Sequence, residues 1–267
     1  MSTPNTQPSA RMDYRGATAL VTGASSGIGA VFAERLAAAG AGLVLVARRK
    51  DVLEHLAEGL RARHRVTVEV IPADLDDPGA AAQVCHALDE RGVLIDVLIN
   101  NAGFGLHGDL AEADLDRTLG MIRVNCLAVV DLTARLLPGM RSRRRGAVVN
   151  VASTAAFQPL PHMAVYGASK AFVLSFSEAL SVEVKGDGVR VLALCPGATA
   201  TEFFSVAGES AQVGAQQSAD EVVDVALRGL GRGRPSVIPG VRNALLALTP
   251  RLLPRRVVLA ASERAMR

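Results

Sequence analysis

The chain has 267 residues, 49% hydrophobic and 21% charged, so it carries enough apolar material for a sheet covered on both faces and is not disordered as a whole. Aromatic residues make up 3%, Trp is absent and the formal net charge is only +3, which argues against a base-stacking nucleic-acid platform or a DNA-binding surface. No run approaches the ~20 apolar residues that span a bilayer, and the length fits one large domain, since open α/β sheets often exceed the usual ~100–200 residues.

The opening residues are rich in Ser, Thr, Pro, Asn and Gln, with neither a basic flank nor an apolar stretch, so 1–15 is expected to be a flexible tail and not a signal peptide. Three widely spaced cysteines, Cys85, Cys126 and Cys195, fit packed thiols in a reducing compartment better than a disulfide framework. A cytoplasmic protein is the expectation.

From Ala17 onward, short aliphatic runs alternate with stretches of helical period. Strands are predicted at 17–21, 42–46, 66–71, 95–99, 146–151, 189–194 and 236–238, and helices at 28–39, 51–63, 79–91, 112–137, 164–185 and 219–229. Ser218, with Glu221 three residues on, forms a capping box before the last of these. The alternation is that of βαβ units. The expected fold is therefore α/β: a single doubly wound Rossmann-type domain over 16–240, with a mainly parallel sheet of about seven strands and helices on both faces. Ligands of such sheets bind beyond the carboxyl ends of the strands.

The residues that follow the strands carry chemistry. Thr22 to Gly29 reads T-G-A-S-S-G-I-G between the first strand and the first helix. There Gly23 permits a tight turn, Gly27 lets backbone approach a pyrophosphate, and Gly29 lets helix and strand pack closely. The helix N-terminus offers free N–H groups to phosphate. After the second strand, where NAD sites carry an acid for the ribose hydroxyls, stands Ala47-Arg48-Arg49-Lys50. A guanidinium there can bind the 2'-phosphate of NADP. The alternative is a solvated charge run, although cations are mildly unfavourable at a helix start. Asp74-Leu75 follows the third strand, Asn100-Asn101-Ala102-Gly103 the fourth, Ser153 the fifth, and Pro196-Gly197, with Thr201 beyond, the sixth. Tyr166 and Lys170 are four residues apart in Y-G-A-S-K and share one helix face. A neighbouring ammonium favours a phenolate, but such a pair taken alone is usually an exposed helical pair.

Together with Asn125 in the long helix, these motifs resemble the short-chain dehydrogenase/reductase family, of NADP-preferring Y-x-x-x-K type, over almost the whole chain. The resemblance implies a catalytic set of Asn125, Ser153, Tyr166 and Lys170. Ser153 and Tyr166 would meet the substrate oxygen, with Tyr166 as general acid in reduction and general base in oxidation. Lys170 would lower the Tyr166 pKa and bond the nicotinamide ribose, and Asn125 would hold a helix irregularity and a water leading from Lys170 to solvent. The implied cofactor wall comprises Thr22, Gly23, Ser25, Ser26, Gly27, Ile28 and Gly29 at the phosphates, Arg48 at the 2'-phosphate, and Asp74 and Leu75 beside the adenine. Asn101, Ala102 and Gly103 would line the ribose side, with Pro196, Gly197 and Thr201 at the nicotinamide and Thr201 on its carboxamide. One departure is Ser26, where some NADP-preferring members carry a basic residue. The cofactor expected is NADP(H) over NAD(H), the substrate a small carbonyl compound or secondary alcohol of apolar character, and the assembly a homodimer or homotetramer without nucleic acid.

Other candidates are weaker. His55, His64, His86, His107 and His162 lack metal-ligand spacing, so no metal is expected. Ser153 lacks the G-x-S-x-G setting of a hydrolase. The segment 202–217, with Phe203 and Phe204, is expected to be a mobile lid over an apolar substrate, the alternative being a variable surface loop. The 241–267 extension mixes aliphatic residues with Arg251, Arg255, Arg256, Arg264 and Arg267. Packing on the domain or a partner subunit is favoured over an anionic membrane, because Pro250 and Pro254 interrupt a long amphipathic helix. Two function classes compete: an NADP(H)-dependent oxidoreductase, and a catalytically silent dinucleotide-binding regulator on the same fold. Tyr166, which only chemistry requires, favours the enzyme.

Overall fold

Along β1 (Thr18–Thr22) the side chains of Ala19 and Val21 enter one apolar layer and that of Leu20 the other, and all three are fully buried. This two-sided burial, the mark of a central parallel strand, recurs across the sheet in the computed structural model, which describes residues 12–201 and 216–266. The strands are β2 (Gly42–Ala47), β3 (Val68–Pro72), β4 (Val97–Asn100), β5 (Gly146–Val151), β6 (Val189–Leu194) and β7 (Ser236–Val237). They form one seven-stranded sheet in the order β3-β2-β1-β4-β5-β6-β7, with every pairing parallel.

Helices α1 (Gly27–Ala38), α2 (Lys50–His64) and α7 (Ala219–Gly231) cover one face, where Phe32, Leu36, Leu53, Leu60, Val222 and Leu230 pack on Val21, Leu45 and Ile99. On the other face α3 (Ala80–Glu90), α5 (Ala128–Ser142) and α6 (Ala164–Glu183) bring Val84, Leu88, Leu132, Met140 and Leu180 onto Leu20, Val44, Leu98 and Val148. The Ser218 cap forms as expected, its hydroxyl accepting from Glu221 N at 3.2 Å. The strand order reverses between β1 and β4, and that crevice, at the carboxyl ends, is where a doubly wound sheet takes its ligand.

Three expectations change. The helix predicted over 112–137 is α4 (Leu115–Ile122), a π-helical turn at Arg123–Leu127, and α5, which carries on to Ser142 with Pro138 inside it. Its start is set by Asp114, whose side chain accepts from Arg117 N at 3.1 Å. Strands β1, β3 and β4 begin one or two residues later than predicted; Ala17, Val66 and Ile95 are apolar because they pack inward, although Ala17 O still accepts from Gly42 N at 2.9 Å. In the 241–267 extension, Pro254 separates α8 (Val241–Leu252) from α9 (Arg255–Met266), but Pro250 lies within α8. Near a helix end, the one intrahelical bond that a proline removes costs little cooperativity. The two helices pack inward through Ala247, Val258, Ser262 and Met266. The predicted tail at 1–15 and the predicted lid over 202–217 fall largely outside the described residues.

Candidate active site

The glycine-rich turn is held from behind. Thr22 is buried, and its hydroxyl donates to Ile99 O (3.3 Å) while accepting from Asn101 N and Ala102 N (3.0 Å each). The Asn101 amide donates to Thr22 O (3.0 Å) and Gly23 O (3.1 Å). These bonds lock the ends of β1 and β4 together, so Thr22 shapes the turn without lining the cavity in front of it. A side chain at Gly23 (φ +62°) would bring its Cβ within 2.8 Å of Asn101 Nδ2 and 2.9 Å of Ala102 Cα. At Gly29 it would collide with Gly23 O, so that glycine serves helix–turn packing and is likewise absent from the cavity lining. At Gly27 (φ +54°) the Cβ would lie 2.8 Å from Thr201 Cγ2. Thr201, expected at the carboxamide, thus stands against the glycine-rich turn.

In front of this turn lies a cavity of about 1040 Å³. It is lined by Gly23, Ser25, Ser26, Gly27 and Ile28 of the turn, Arg48 and Arg49 after β2, Asp74 and Leu75 after β3, Asn101, Ala102 and Gly103 after β4, Ser153, Tyr166 and Lys170, and Pro196, Gly197 and Thr201 after β6. Arg48 is mostly exposed, with Nη1 3.8 Å from Asp74 Oδ2. Arg49 donates to Ser25 Oγ at 3.2 Å, which draws a second guanidinium to the turn.

Tyr166 and Lys170 lie on the buried stripe of α6 that continues through Val173, Ser177 and Leu180. The pair therefore faces the sheet instead of solvent. Lys170 Nζ donates to Val151 O (2.9 Å) and sits 5.8 Å from the centre of the Tyr166 ring. Burial draws the Lys170 ammonium down to about 8. Burial also pushes the Tyr166 phenol up to about 12, opposed by its hydrogen bond with the Ser153 side chain. The lowering of Tyr166 by Lys170 that the resemblance implied is thus not the dominant influence in this site. Ser153 is placed by its backbone role: it caps the short turn Thr154–Phe157, its Oγ accepting from Ala155 N at 3.1 Å.

Asn125 occupies the centre of the π-helical turn. Its side chain accepts from Phe104 N (3.1 Å) and donates to Phe104 O and Ser169 Oγ (3.0 Å each). A Cβ on Gly103 would fall 2.8 Å from Asn125 Oδ1 and 3.3 Å from Lys170 Nζ. Asn125 therefore stands behind the Gly103 backbone, beside Lys170 and outside the cavity lining. The extra residue of the π turn is what turns this side chain toward the loop after β4.

Several contributors escaped the sequence reading. In the sequence Arg49 stands only as one member of a charge run, and no motif marks Phe104, Leu160 or Met163. Leu246, Ala247, Ala265 and Met266 come from α8 and α9 and line the same cavity. His107 holds that roof, its Nε2 lying 3.0 Å from Met266 O. Asn243 of α8 donates to Gln217 Oε1 (2.8 Å) and Pro239 O (2.9 Å) and packs so closely on Gly197 that a Cβ there would lie 2.5 Å from its amide nitrogen. Behind the site, a buried chain runs from Thr133 through Asn100 and Asn150 to Ser177, with spacings of 3.0, 2.8 and 2.9 Å.

The glycine cradle, the cationic end and the buried phenol suit an extended dinucleotide with a reacting group beside Tyr166, which defines the class as a Rossmann-type nicotinamide-dependent oxidoreductase. Residues 17–212 match the family model described as short chain dehydrogenase, and the chain belongs to that family. Sulfoacetaldehyde reductase of Chromohalobacter salexigens is 40% identical over 205 residues, which cover 76% of this chain and 78% of that protein. A short-chain dehydrogenase from Sphingobium yanoikuyae, solved in complex with NADPH, has a TM-score of 0.80 at 39% identity, covering 91% of this chain and 95% of that one. The bulky-bulky ketone specific alcohol dehydrogenase from Comamonas testosteroni has a TM-score of 0.76 at 34% identity, covering 91% and 93%. The chain spans 66% and 15% of the length of two further curated relatives that it matches. Among the described residues, no helix is long and apolar enough to cross a membrane.

Proposed function

We propose that this protein is an NADP(H)-dependent oxidoreductase of Y-x-x-x-K type that interconverts apolar ketones and secondary alcohols. The observation that carries the proposal is the hydrogen-bonded Ser153–Tyr166 hydroxyl pair at a cavity whose walls include Phe104, Leu160, Met163, Leu246 and Met266. A bound nicotinamide supplies or accepts the hydride. As a carbonyl carbon takes hydride, its oxygen gains charge, and the Ser153 and Tyr166 hydroxyls are the donors that stabilise it. Tyr166 then gives its proton. Burial pushes the phenol up to about 12, so Tyr166 keeps that proton near neutrality until the substrate oxygen takes up charge. Lys170, anchored on Val151 O, places its charge beside both the phenol and the Gly103 backbone, where it can bond a ribose. Asn125 acts at one remove, by fixing the loop at Phe104 and positioning Gly103 against Lys170.

The NADP preference rests on Arg48 and Arg49, two guanidinium groups just after β2, of which Arg49 donates to the Ser25 hydroxyl of the turn and Arg48 stands 3.8 Å from Asp74. Both can make charge-assisted bonds to a 2'-phosphate. The S. yanoikuyae relative is described with NADPH. The C. testosteroni relative is described as specific for bulky ketones, in keeping with the aliphatic walls here. The catalytic unit is 16–240, and Leu246, Ala247, Ala265 and Met266 of the extension beyond it complete its roof. Leu115, Leu119, Ile122 and Leu127, exposed at helical spacing along α4 and the π turn, support association as a homodimer or homotetramer. A silent regulator would have no use for a hydrogen-bonded Ser–Tyr hydroxyl pair at the cavity wall.

The test is a screen of NADPH oxidation with bulky apolar ketones, steroids, acyl-chain carbonyl compounds and small charged aldehydes, repeated with NADH. Turnover confined to charged aldehydes would overturn the substrate class, and equal efficiency with NADH would overturn the cofactor preference.

A further inference from the structure

Half of the large hydrophobic residues that lie exposed among the described ones fall in α8, α9 and the link between them, from Val241 to Leu259. In α8 they form a line. Val241, Leu245, Leu248 and Leu252, at spacings of four, three and four, are 78, 63, 51 and 82% exposed. The opposite side of the helix carries Asn243 and the buried Ala247 inward. Apart from Leu246, which lines the cavity, this helix has its small and polar residues against the protein and its large aliphatic ones toward solvent, the reverse of a helix that is only packing on its own domain. The stripe is about 16 Å long at 1.5 Å per residue. Leu253, Val257 and Leu259 extend it into α9.

The charges along these two helices are nearly all of one sign. Arg242, Arg251, Arg255, Arg256 and Arg264 accompany it, all exposed, and Glu263 is the single acid between 241 and 266. Pairing this face with itself about a two-fold axis would set arginines of two copies against each other with almost no acid to offset them. A surface of apolar side chains edged by arginines matches instead an interface whose interior is hydrocarbon and whose rim is phosphate.

We propose that α8 and α9 are a docking surface for an anionic phospholipid bilayer, on which Val241, Leu245, Leu248 and Leu252 enter the acyl boundary while Arg251, Arg255 and Arg256 meet the headgroup phosphates. The prolines that exclude one long amphipathic helix do not prevent this, since two short helices share the load. The inner side of the same element carries Leu246, Ala247, Ala265 and Met266, which roof the cavity. Docking so oriented sets the substrate chamber against the membrane, and an apolar carbonyl compound dissolved there has a short path to Tyr166. That corollary rests on the apolar-substrate reading; attachment to the bilayer does not.

The experiment is flotation of the full chain with vesicles of phosphatidylcholine alone and of phosphatidylcholine mixed equally with phosphatidylglycerol. The protein is expected to float with the mixed vesicles and not the neutral ones, and to be released as salt is raised. The double variant L248E/L252E should bind at least tenfold more weakly, R255Q/R256Q should lose most of the preference for the anionic lipid, and L94E, at an exposed leucine elsewhere in the chain (63%), should bind as the parent does. NADPH binding by each variant confirms its fold. The proposal is overturned if the parent stays unbound, if L248E/L252E floats like the parent, or if sedimentation shows a dimer that L248E/L252E dissociates, which would assign this face to a second copy. Failure of flotation would leave ketone turnover in solution untouched, and failure of turnover would leave flotation untouched, so the two readings fall separately.

Discussion

Replacing Lys170 by Met should separate what the site costs from what it does. Lys170 is 5% exposed, and burial lowers its ammonium from 10.5 to about 8. A group whose folded value is depressed contributes its stability fully above the unfolded value, and loses it as the pH falls through the folded one. Near neutrality the wild-type fold therefore carries the cost of a buried cation, on the order of 3 kcal/mol at ~1.4 kcal/mol per unit. Between about pH 7 and pH 10 most of that cost, roughly 2 to 3 kcal/mol, should be recovered by wild type and not by Lys170→Met. The variant leaves Val151 O without its donor, at about 1 kcal/mol, but this loss is independent of pH and drops out of the slope. Tyr166 and Cys195, both pushed up to about 12 by burial, titrate in both proteins and largely cancel in the difference. The assay is urea unfolding of both proteins across that pH range, read as the difference in free energy. A difference that stays flat from neutral to alkaline pH would refute the placement of an ionised Lys170 on the buried stripe of α6.

Arg48→Ala is expected to weaken NADPH binding by about ten- to a hundredfold, the worth of one charge-assisted pair at a partly exposed site, while NADH binding changes little; fluorescence titration of both cofactors reads it, and equal losses would remove the phosphate role. Gly23→Ala forces a side chain into left-handed backbone with its Cβ 2.8 Å from Asn101 Nδ2. It should cost roughly 2 to 5 kcal/mol, from about 1 to 2 for the conformation and about 1 to 3 for overpacking, seen as a lower urea midpoint together with weaker cofactor binding; an unchanged midpoint would mean that the Thr22–Asn101 lock yields freely.

The parts of the site that were legible in the sequence share one property: each is local. The glycine turn, the Asn101-Ala102-Gly103 run and the Tyr166–Lys170 spacing all encode their geometry within a few residues of a strand end or along one helix. What escaped depends on contacts between distant segments. Arg49 reaches Ser25 from the neighbouring strand's turn, and Met266 reaches the cavity only because α9 folds back to His107, across 159 positions of sequence. The irregularity at Asn125 was expected from the resemblance alone and is the π turn; it left no trace in the hydrophobic period, because inserting one residue into a helix already flanked by apolar side chains shifts its face without breaking its pattern. Pro250 misled for a related reason: its cost depends on where the helix ends, and that end is set by packing through Ala247 and Pro254. The Tyr166–Lys170 pair was read as a cation beside a phenol. The larger influence is burial of both, which no spacing rule contains.

The role proposed for Tyr166 is proton transfer at a site otherwise built for binding. It is tested most directly by single-turnover reduction of a ketone substrate by Tyr166→Phe alongside wild type, with NADPH affinity measured on the same samples. The expected result is a loss of at least about a hundredfold in the rate of reduction, the span of a general acid, with the NADPH dissociation constant within about threefold of wild type. A variant that reduces the ketone at the wild-type rate would contradict it.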